Sequence, residues 1–392
     1  MKIQPKLMEQ FLKRFDGTSF DVMFETGEEF HIGTGDSKFK VRFHEDIPYT
    51  ELMKSTSLAL GEAYMDGRLE IDGDLVEALD EVLRFQNKFT SNYGKMKKLM
   101  RSSHSMKEQK EEVCSHYDIG NEFYELWLDD TLSYSCAYFR EENDTLEQAQ
   151  YNKVHHILKK LQLSEEMSLL DIGCGWGFLL IEAAKLYKIH GVGITLSEEQ
   201  AKKFATRIKE EGLEDYLQVK VMDYRELKKS GLSFDRVVSV GMIEHVGRDQ
   251  YEEFFENVDA VLKESGIFVL HYISGKKEYP GDPWLRKYIF PGGMLPSLRE
   301  IIWLSAEHNY FVIDIESLRR HYVRTLLQWY KNFENSLPKI KEMFDERFIR
   351  MWRLYLCSCA ATFHNGIIDL HQIVFTKGVN NELPMTRENL YK

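Results

Sequence analysis

The sequence predicts a doubly wound, mostly parallel α/β sheet preceded by a smaller α+β domain. Three observations carry this. After about residue 145, apolar segments of strand length alternate with helical segments. A glycine-rich turn, Asp171-Ile-Gly-Cys-Gly-Trp-Gly177, follows the first of those strands and opens a helix. Before residue 90 the pattern differs, with short period-two alternation as in Phe39-Lys-Val-Arg-Phe43.

Taken in order, residues 1–90 read as a small α+β domain with short strands and helices over Leu52–Asp66 and Asp74–Phe85. Its run Gly61-Glu-Ala-Tyr-Met-Asp-Gly-Arg-Leu-Glu-Ile-Asp-Gly73 resembles small sterol-carrier-like domains, which implies contact with lipid or membrane. Residues 91–115 are charged and poor in apolar side chains, basic first and acidic last, and read as a linker. That segment is either a solvated connector or one whose basic start touches phosphate head groups. Residues 116–392 form the second domain. Asp144-Thr-Leu-Glu147 has the form of a capping box. Leu146, Ala149, Val154, Ile157, Leu158 and Leu161 then make one apolar helical face. Strands are expected at Ser168–Ile172, His190–Ile194, Leu217–Val221, Phe234–Val240 and Gly266–His271.

A chain of 392 residues is long for one core, and 43% hydrophobic with 29% charged residues is an ordinary globular balance. The five cysteines are scattered without paired metal-ligand spacing, which argues against a disulfide framework and a zinc site and fits a reducing cytosol. The start of the chain reads as lacking a leader, and no apolar run reaches bilayer-spanning length. A net charge of −12 disfavours non-specific binding to nucleic acid or anionic membrane.

Glycines after a strand let the backbone turn tightly and approach a ligand closely. Gly173, Gly175 and Gly177 fall on alternate positions, unlike the dinucleotide fingerprint, and an acidic residue stands close before the first of them. A second polar turn, Asp223-Tyr-Arg225, follows the third strand. Together these resemble the class I methyltransferases that use S-adenosylmethionine (SAM). The resemblance implies that Asp171 and the glycines border the methionine part of SAM, with Asp223, Tyr224 and Arg225 at the adenine. Thr195 stands where most of that superfamily carries a ribose-binding carboxylate. Hydroxyl and amide groups can make the same hydrogen bonds, and Ser197 or Thr195 can equally cap the next helix.

The form Thr195-x-Ser197-x-x-Gln200 is similar to that of cyclopropane fatty acid synthases and the mycolic acid methyltransferases. Five further strings resemble the same family: His116-Tyr-Asp-Ile-Gly-Asn121, Tyr134-Ser-Cys-Ala-Tyr138, Val240-Gly-Met-Ile-Glu-His-Val-Gly247, Lys287-Tyr-Ile-Phe-Pro291 and Gln328-Trp-Tyr330. The N-terminal extension fits the synthases that act on phospholipid. The resemblance implies an enzyme that adds a methylene from SAM across a cis double bond in an acyl chain, working at the inner face of the membrane as a homodimer. It implies Tyr134 and Ser135 at the cofactor and a bound bicarbonate as base. The bicarbonate is held by Glu244, His271, Tyr322 and the backbones of Cys136 and Ile273, with Cys359 near the pocket. Glu244 and His271 also stand at strand carboxyl ends, where open α/β sheets bind ligands.

Each residue has a structural reading as well. Glu244 can cap a helix, His271 can be a satisfied core histidine, Tyr322 can pack beside Leu326 and Leu327, and Cys359 can be a small buried hydrophobe. Trp284, Tyr288 and Phe290 alternate with Arg286 and Lys287 in a stretch that either meets lipid or packs as an ordinary insertion. A related lipid carbon or nitrogen methyltransferase, or a lipid carrier with a vestigial site, are the competing functions.

Overall fold

A computed structural model describes residues 5–13, 17–84 and 119–391. The expected linker at 91–115, Phe85 at the end of a predicted helix, and His116 to Asp118 lie outside the described residues. The chain divides into two compact units. One takes in the described residues up to 84 with residues 281–291 and 326–367, and the other holds residues 119–280, 292–325 and 368–391.

In the first unit, β1 (Phe20–Phe24), β2 (Glu29–Ile32), β3 (Lys40–Phe43) and β4 (Leu69–Asp72) form a sheet in the order β2-β1-β3-β4. Phe20, Val22 and Phe24 alternate along β1 and are all buried, as period two requires of a half-buried strand. Phe20 stacks on Phe39 at 4.9 Å and Phe24 on Phe43 at 5.2 Å. The helix expected over Leu52–Asp66 is two helices, Tyr49–Lys54 and Thr56–Met65. Ser55 breaks it because its backbone is extended and its hydroxyl accepts from Leu58 N, capping the second helix.

The stretch carrying Trp284 also belongs to this unit. It forms the helix Pro283–Tyr288, started by Asp282. Trp284 is buried, its ring lying where a Cβ on Gly61 would stand and its Nε1 3.2 Å from Met65 Sδ. Lys287 Nζ and Tyr288 Oη both donate to Glu62, at 2.5 and 2.7 Å. Of the two readings, the packed insertion holds for Trp284, since its indole already fills an internal site.

The second unit is a seven-stranded sheet: β5 (Ser168–Ile172), β6 (His190–Thr195), β7 (Leu217–Val221), β8 (Phe234–Val240), β9 (Leu262–Gly275), β10 (Tyr310–Ser317) and β11 (Ile368–Lys377). The order is β10-β11-β9-β8-β5-β6-β7, parallel from β9 to β7, with β11 antiparallel to both its neighbours. The five expected strands are present, and β10 and β11 add to them. Alternate residues of the buried strands feed two cores. Leu170, Ile172, Phe268 and Leu270 face one side with the helix Tyr251–Val261, and Leu169, Ile267 and Val269 face the other with the helices Leu146–Leu161 and Phe178–Tyr187. The strand order reverses between β5 and β8: β6 and β7 are added on one side of β5, and β8 and β9 on the other. That switch point is where such sheets bind ligands at their carboxyl ends.

The helix Leu146–Leu161 begins one residue later than the capping box suggested. Thr145 is the cap and accepts from Gln148 N at 3.1 Å, while Asp144 accepts from the amides of Arg140 and Glu141. All six residues of its predicted apolar face are buried, and so are Gln150, Lys153, His156 and Lys160.

Candidate active site

The turn Asp171–Gly177 leaves β5 at the switch point. Gly173, Gly175 and Gly177 have φ of 83°, 54° and 84°, the left-handed region open to glycine. A Cβ on Gly177 would stand 2.0 Å from the Phe204 ring, and one on Gly173 would stand 2.9 Å from Met242. Glycine is therefore favoured by conformation at all three positions and by space at Gly173 and Gly177, since a Cβ on Gly175 would meet nothing within 4 Å.

Over this turn lies a cavity lined by Tyr134, Ser135, Asp171, the three glycines, Thr195, Gln200 and Tyr224. Ser197, Asp223 and Arg225 are not among its lining residues. Ser197 caps the helix Glu198–Glu210 by accepting from Gln200 N, and Thr195 Oγ1 donates to Gln200 Oε1 at 2.8 Å. Asp223 is held by Arg225, whose Nε and Nη2 donate to its two oxygens at 2.9 and 2.6 Å. The carboxylate expected to receive an adenine amino group thus already has a bidentate partner.

Lys153 also lines the cavity, although its place on a helix gives it the sequence appearance of a solvated lysine. Its Nζ donates to Ser135 Oγ at 3.1 Å, and Gln150 Nε2 donates to the carbonyls of Ser133 and Ser135. One helix face therefore holds the segment 133–135 against the pocket. Burial raises Asp171 to about 7 against the opposing Lys153 charge, and burial lowers Lys153 to about 8. Asp171 Oδ1 has no hydrogen-bond partner among the described residues.

A second cluster adjoins the cavity. Gly241 lines the cavity and its amide donates to the His271 carbonyl at 2.8 Å. Three residues on, Glu244 is buried in a short 3-10 turn, and its Oε1 accepts from Ile273 N at 2.6 Å. The Ile273 amide expected at an anion is therefore engaged by Glu244. Burial raises Glu244 to about 7, the Ile273 amide opposing this, and burial keeps His271 neutral by lowering it well below its ordinary value. Glu244 Oε2 and His271 Nε2 are both buried without a partner among the described residues.

Cys136 and Tyr322 meet at Leu318. Its carbonyl accepts from Tyr322 N at 3.1 Å and lies 3.8 Å from Cys136 Sγ. Leu318 N in turn donates to the carbonyl of Leu370, the residue paired with Ile273 across β9 and β11. A chain of backbone and side-chain hydrogen bonds through Leu318 and Leu370 thus runs from Cys136 and Tyr322 to the strand pair that carries Ile273. Burial pushes the Cys136 thiol far above its ordinary value, so it is no nucleophile. Cys359 belongs to the helix Glu346–His364 of the first unit.

A family model described as mycolic acid cyclopropane synthetase matches residues 104–373. The chain belongs to that family. A second model, for a domain of unknown function, matches residues 7–94. A cyclopropane-fatty-acyl-phospholipid synthase of Escherichia coli is 39% identical over 360 residues, covering 90% of this chain and 92% of the relative. A probable fatty acid methyltransferase of Pseudomonas putida is 42% identical over 346 residues, covering 85% and 86%. The solved cyclopropane synthase MmaA2 of Mycobacterium tuberculosis superposes with a TM-score of 0.65 at 33% identity, covering 68% of this chain and 98% of that one.

The protein is accordingly a SAM-dependent methyltransferase with the class I fold. Its residues fit that cofactor. The glycine turn admits close backbone approach, and Asp171 Oδ1, without a partner among the described residues, would accept from an amino-acid ammonium. In the second cluster a small oxyanion would meet Glu244 Oε2 and His271 Nε2, buried atoms without a partner among the described residues. Lys153 escaped the sequence reading. In the sequence it sits in a polar stripe with His156 and Lys160, which gives no local sign of burial.

Proposed function

We propose that this methyltransferase adds a methylene from SAM across the cis double bond of an unsaturated acyl chain in membrane phospholipid, forming a cyclopropane ring. The observation that carries the proposal is the pair of buried atoms Glu244 Oε2 and His271 Nε2, without partners among the described residues, on elements adjoining the cofactor cavity. Methyl transfer to an amine needs a base only to free the nitrogen lone pair, whereas ring formation needs one that reaches the transferred methyl group itself.

A cis alkene is a poor nucleophile, so the sulfonium methyl must be held in line with it. Transfer leaves a carbocation on the acyl chain, and the ring closes when the delivered methyl group loses a proton. Bound bicarbonate at Glu244 and His271 would supply the base for that proton. Glu244 acts in its protonated form, Oε1 fixed by the Ile273 amide and Oε2 donating. His271 adds a ring nitrogen and no charge. Ile273 serves by orienting Glu244. Tyr322, buried beside Leu318, would add its hydroxyl to the bicarbonate site. Burial of Glu244, His271, Cys136 and Tyr322 keeps out the water that would convert the cation to an alcohol. Such a substrate places the enzyme peripherally at the inner membrane face. Among the described residues no helix is long and apolar enough to cross a bilayer.

The test is incubation with SAM and vesicles of unsaturated phospholipid, then mass analysis of the released acyl chains. A gain of one CH₂ with loss of the double bond supports the proposal. A methyl branch or a methylated head group would replace it with simple carbon or nitrogen methylation.

A further inference from the structure

The Nδ1 nitrogen of His271, opposite the unpartnered Nε2, is held by a largely buried relay, and Gln372, Lys160, Glu316 and His156 are not among the residues lining the cofactor cavity. His271 and Gln372 are direct cross-strand partners on β9 and β11, and Gln372 Nε2 lies 3.0 Å from His271 Nδ1. Gln372 Oε1 accepts from Lys160 Nζ at 2.8 Å. Lys160 reaches Glu316 Oε2 at 2.5 Å, and the same oxygen is 2.7 Å from His156 Nε2. The Lys160 and Gln372 side chains are fully buried.

The polarity of this relay follows from donor chemistry. An ammonium has three donors and no acceptor, so the amide edge turned to Lys160 must be the oxygen. The edge turned to His271 is then the NH₂, which can only donate. Nδ1 must present its lone pair, and a neutral imidazole with a lone pair on Nδ1 carries its proton on Nε2. Protonating both nitrogens would set N–H against N–H at Nδ1, so the relay also opposes the imidazolium. Glu316 anchors the far end. Burial works to raise its carboxyl, but His156 and Lys160 bring it down to about 2, which keeps it anionic beside the ammonium.

We propose that Lys160 and Gln372 are positioning residues that lock His271 as the Nε2–H tautomer, so that its unpartnered nitrogen is a hydrogen-bond donor. This rests on the reading that His271 and Glu244 hold an oxyanion. Both then meet it as neutral donors, whereas the opposite tautomer would aim a lone pair at a negative charge.

The test uses the full chain labelled with ¹⁵N at histidine, the His271 signals being identified from a His271→Gln variant. The wild type is expected to show a pyrrole-type Nε2 and a pyridine-type Nδ1. Gln372→Met removes the donor, so His271 should lose its single-tautomer signature. Turnover should then fall about ten- to a hundredfold, the range for a group acting through the ligand it orients. SAM affinity by titration calorimetry should stay unchanged. Two results overturn the proposal: a wild-type spectrum with the proton on Nδ1, or full turnover in Gln372→Met. Should that variant fail to fold, the wild-type spectrum alone decides the tautomer. A wild-type protein that binds SAM and forms no ring product refutes the preceding proposal instead, and the spectrum still judges this one.

Discussion

Replacing Glu244 by Gln tests whether the carboxyl is a proton carrier in the folded protein. The amide keeps one acceptor for Ile273 N and one donor at the position of Oε2, and it does not titrate. In the wild type, burial raises the group from 4.5 to about 7. A folded-state value above the unfolded one means stability that is complete below the unfolded value and lost as pH rises through the folded one. Moving the carboxyl that far corresponds to about 3 kcal/mol at about 1.4 kcal/mol per pH unit. The variant should therefore gain on the wild type by about 2–3 kcal/mol between about pH 5 and pH 8. Urea denaturation of both proteins across that range measures it. Asp171, also raised to about 7, titrates alike in both and drops out of the difference. A gap independent of pH would mean that Glu244 ionises normally when folded, and the neutral-donor account of the oxyanion site would fail.

Three further outcomes follow from the same geometry. Gly177→Ala forces a Cβ into the Phe204 ring at a left-handed φ. It should cost about 1–3 kcal/mol in backbone strain alone and weaken SAM binding, read by thermal unfolding and calorimetry. Lys153→Met removes the buried cation that opposes the rise of Asp171. Asp171 should then titrate higher than in the wild type, read from its carboxyl ¹³C shift against pH, and an unchanged titration would refute the coupling. Assays in buffer stripped of carbon dioxide should slow and recover on adding bicarbonate. Unchanged turnover would count against an oxyanion at Glu244 and His271.

Much of the catalytic unit is legible in the sequence because β5, β6, β8 and the middle of β9 are apolar runs punctuated by glycine and charge. β10 and β11 are harder to place. β10 is an edge strand with mostly exposed side chains, and β11 inserts beside β9 about a hundred residues after it, which no local period can show. Glu244 and His271 are visible as polar residues at strand ends. The relay behind them is not, since Lys160 meets Glu316 and Gln372 across 156 and 212 positions. On the helix itself, Lys153, His156 and Lys160 have the look of a solvated stripe, and only tertiary packing buries them. Asp223 shows the reverse. Its position after β7 suggests a ligand, while its carboxylate is already held two residues away by Arg225.

Ring closure requires that the transferred methyl group lose a proton, so SAM labelled with deuterium in its methyl group tests the central claim most directly. With unsaturated phospholipid vesicles, the account predicts acyl chains that retain two of the three deuterons and lack the double bond. Chains or head groups that keep all three would contradict it, because the methyl would have been delivered and never deprotonated.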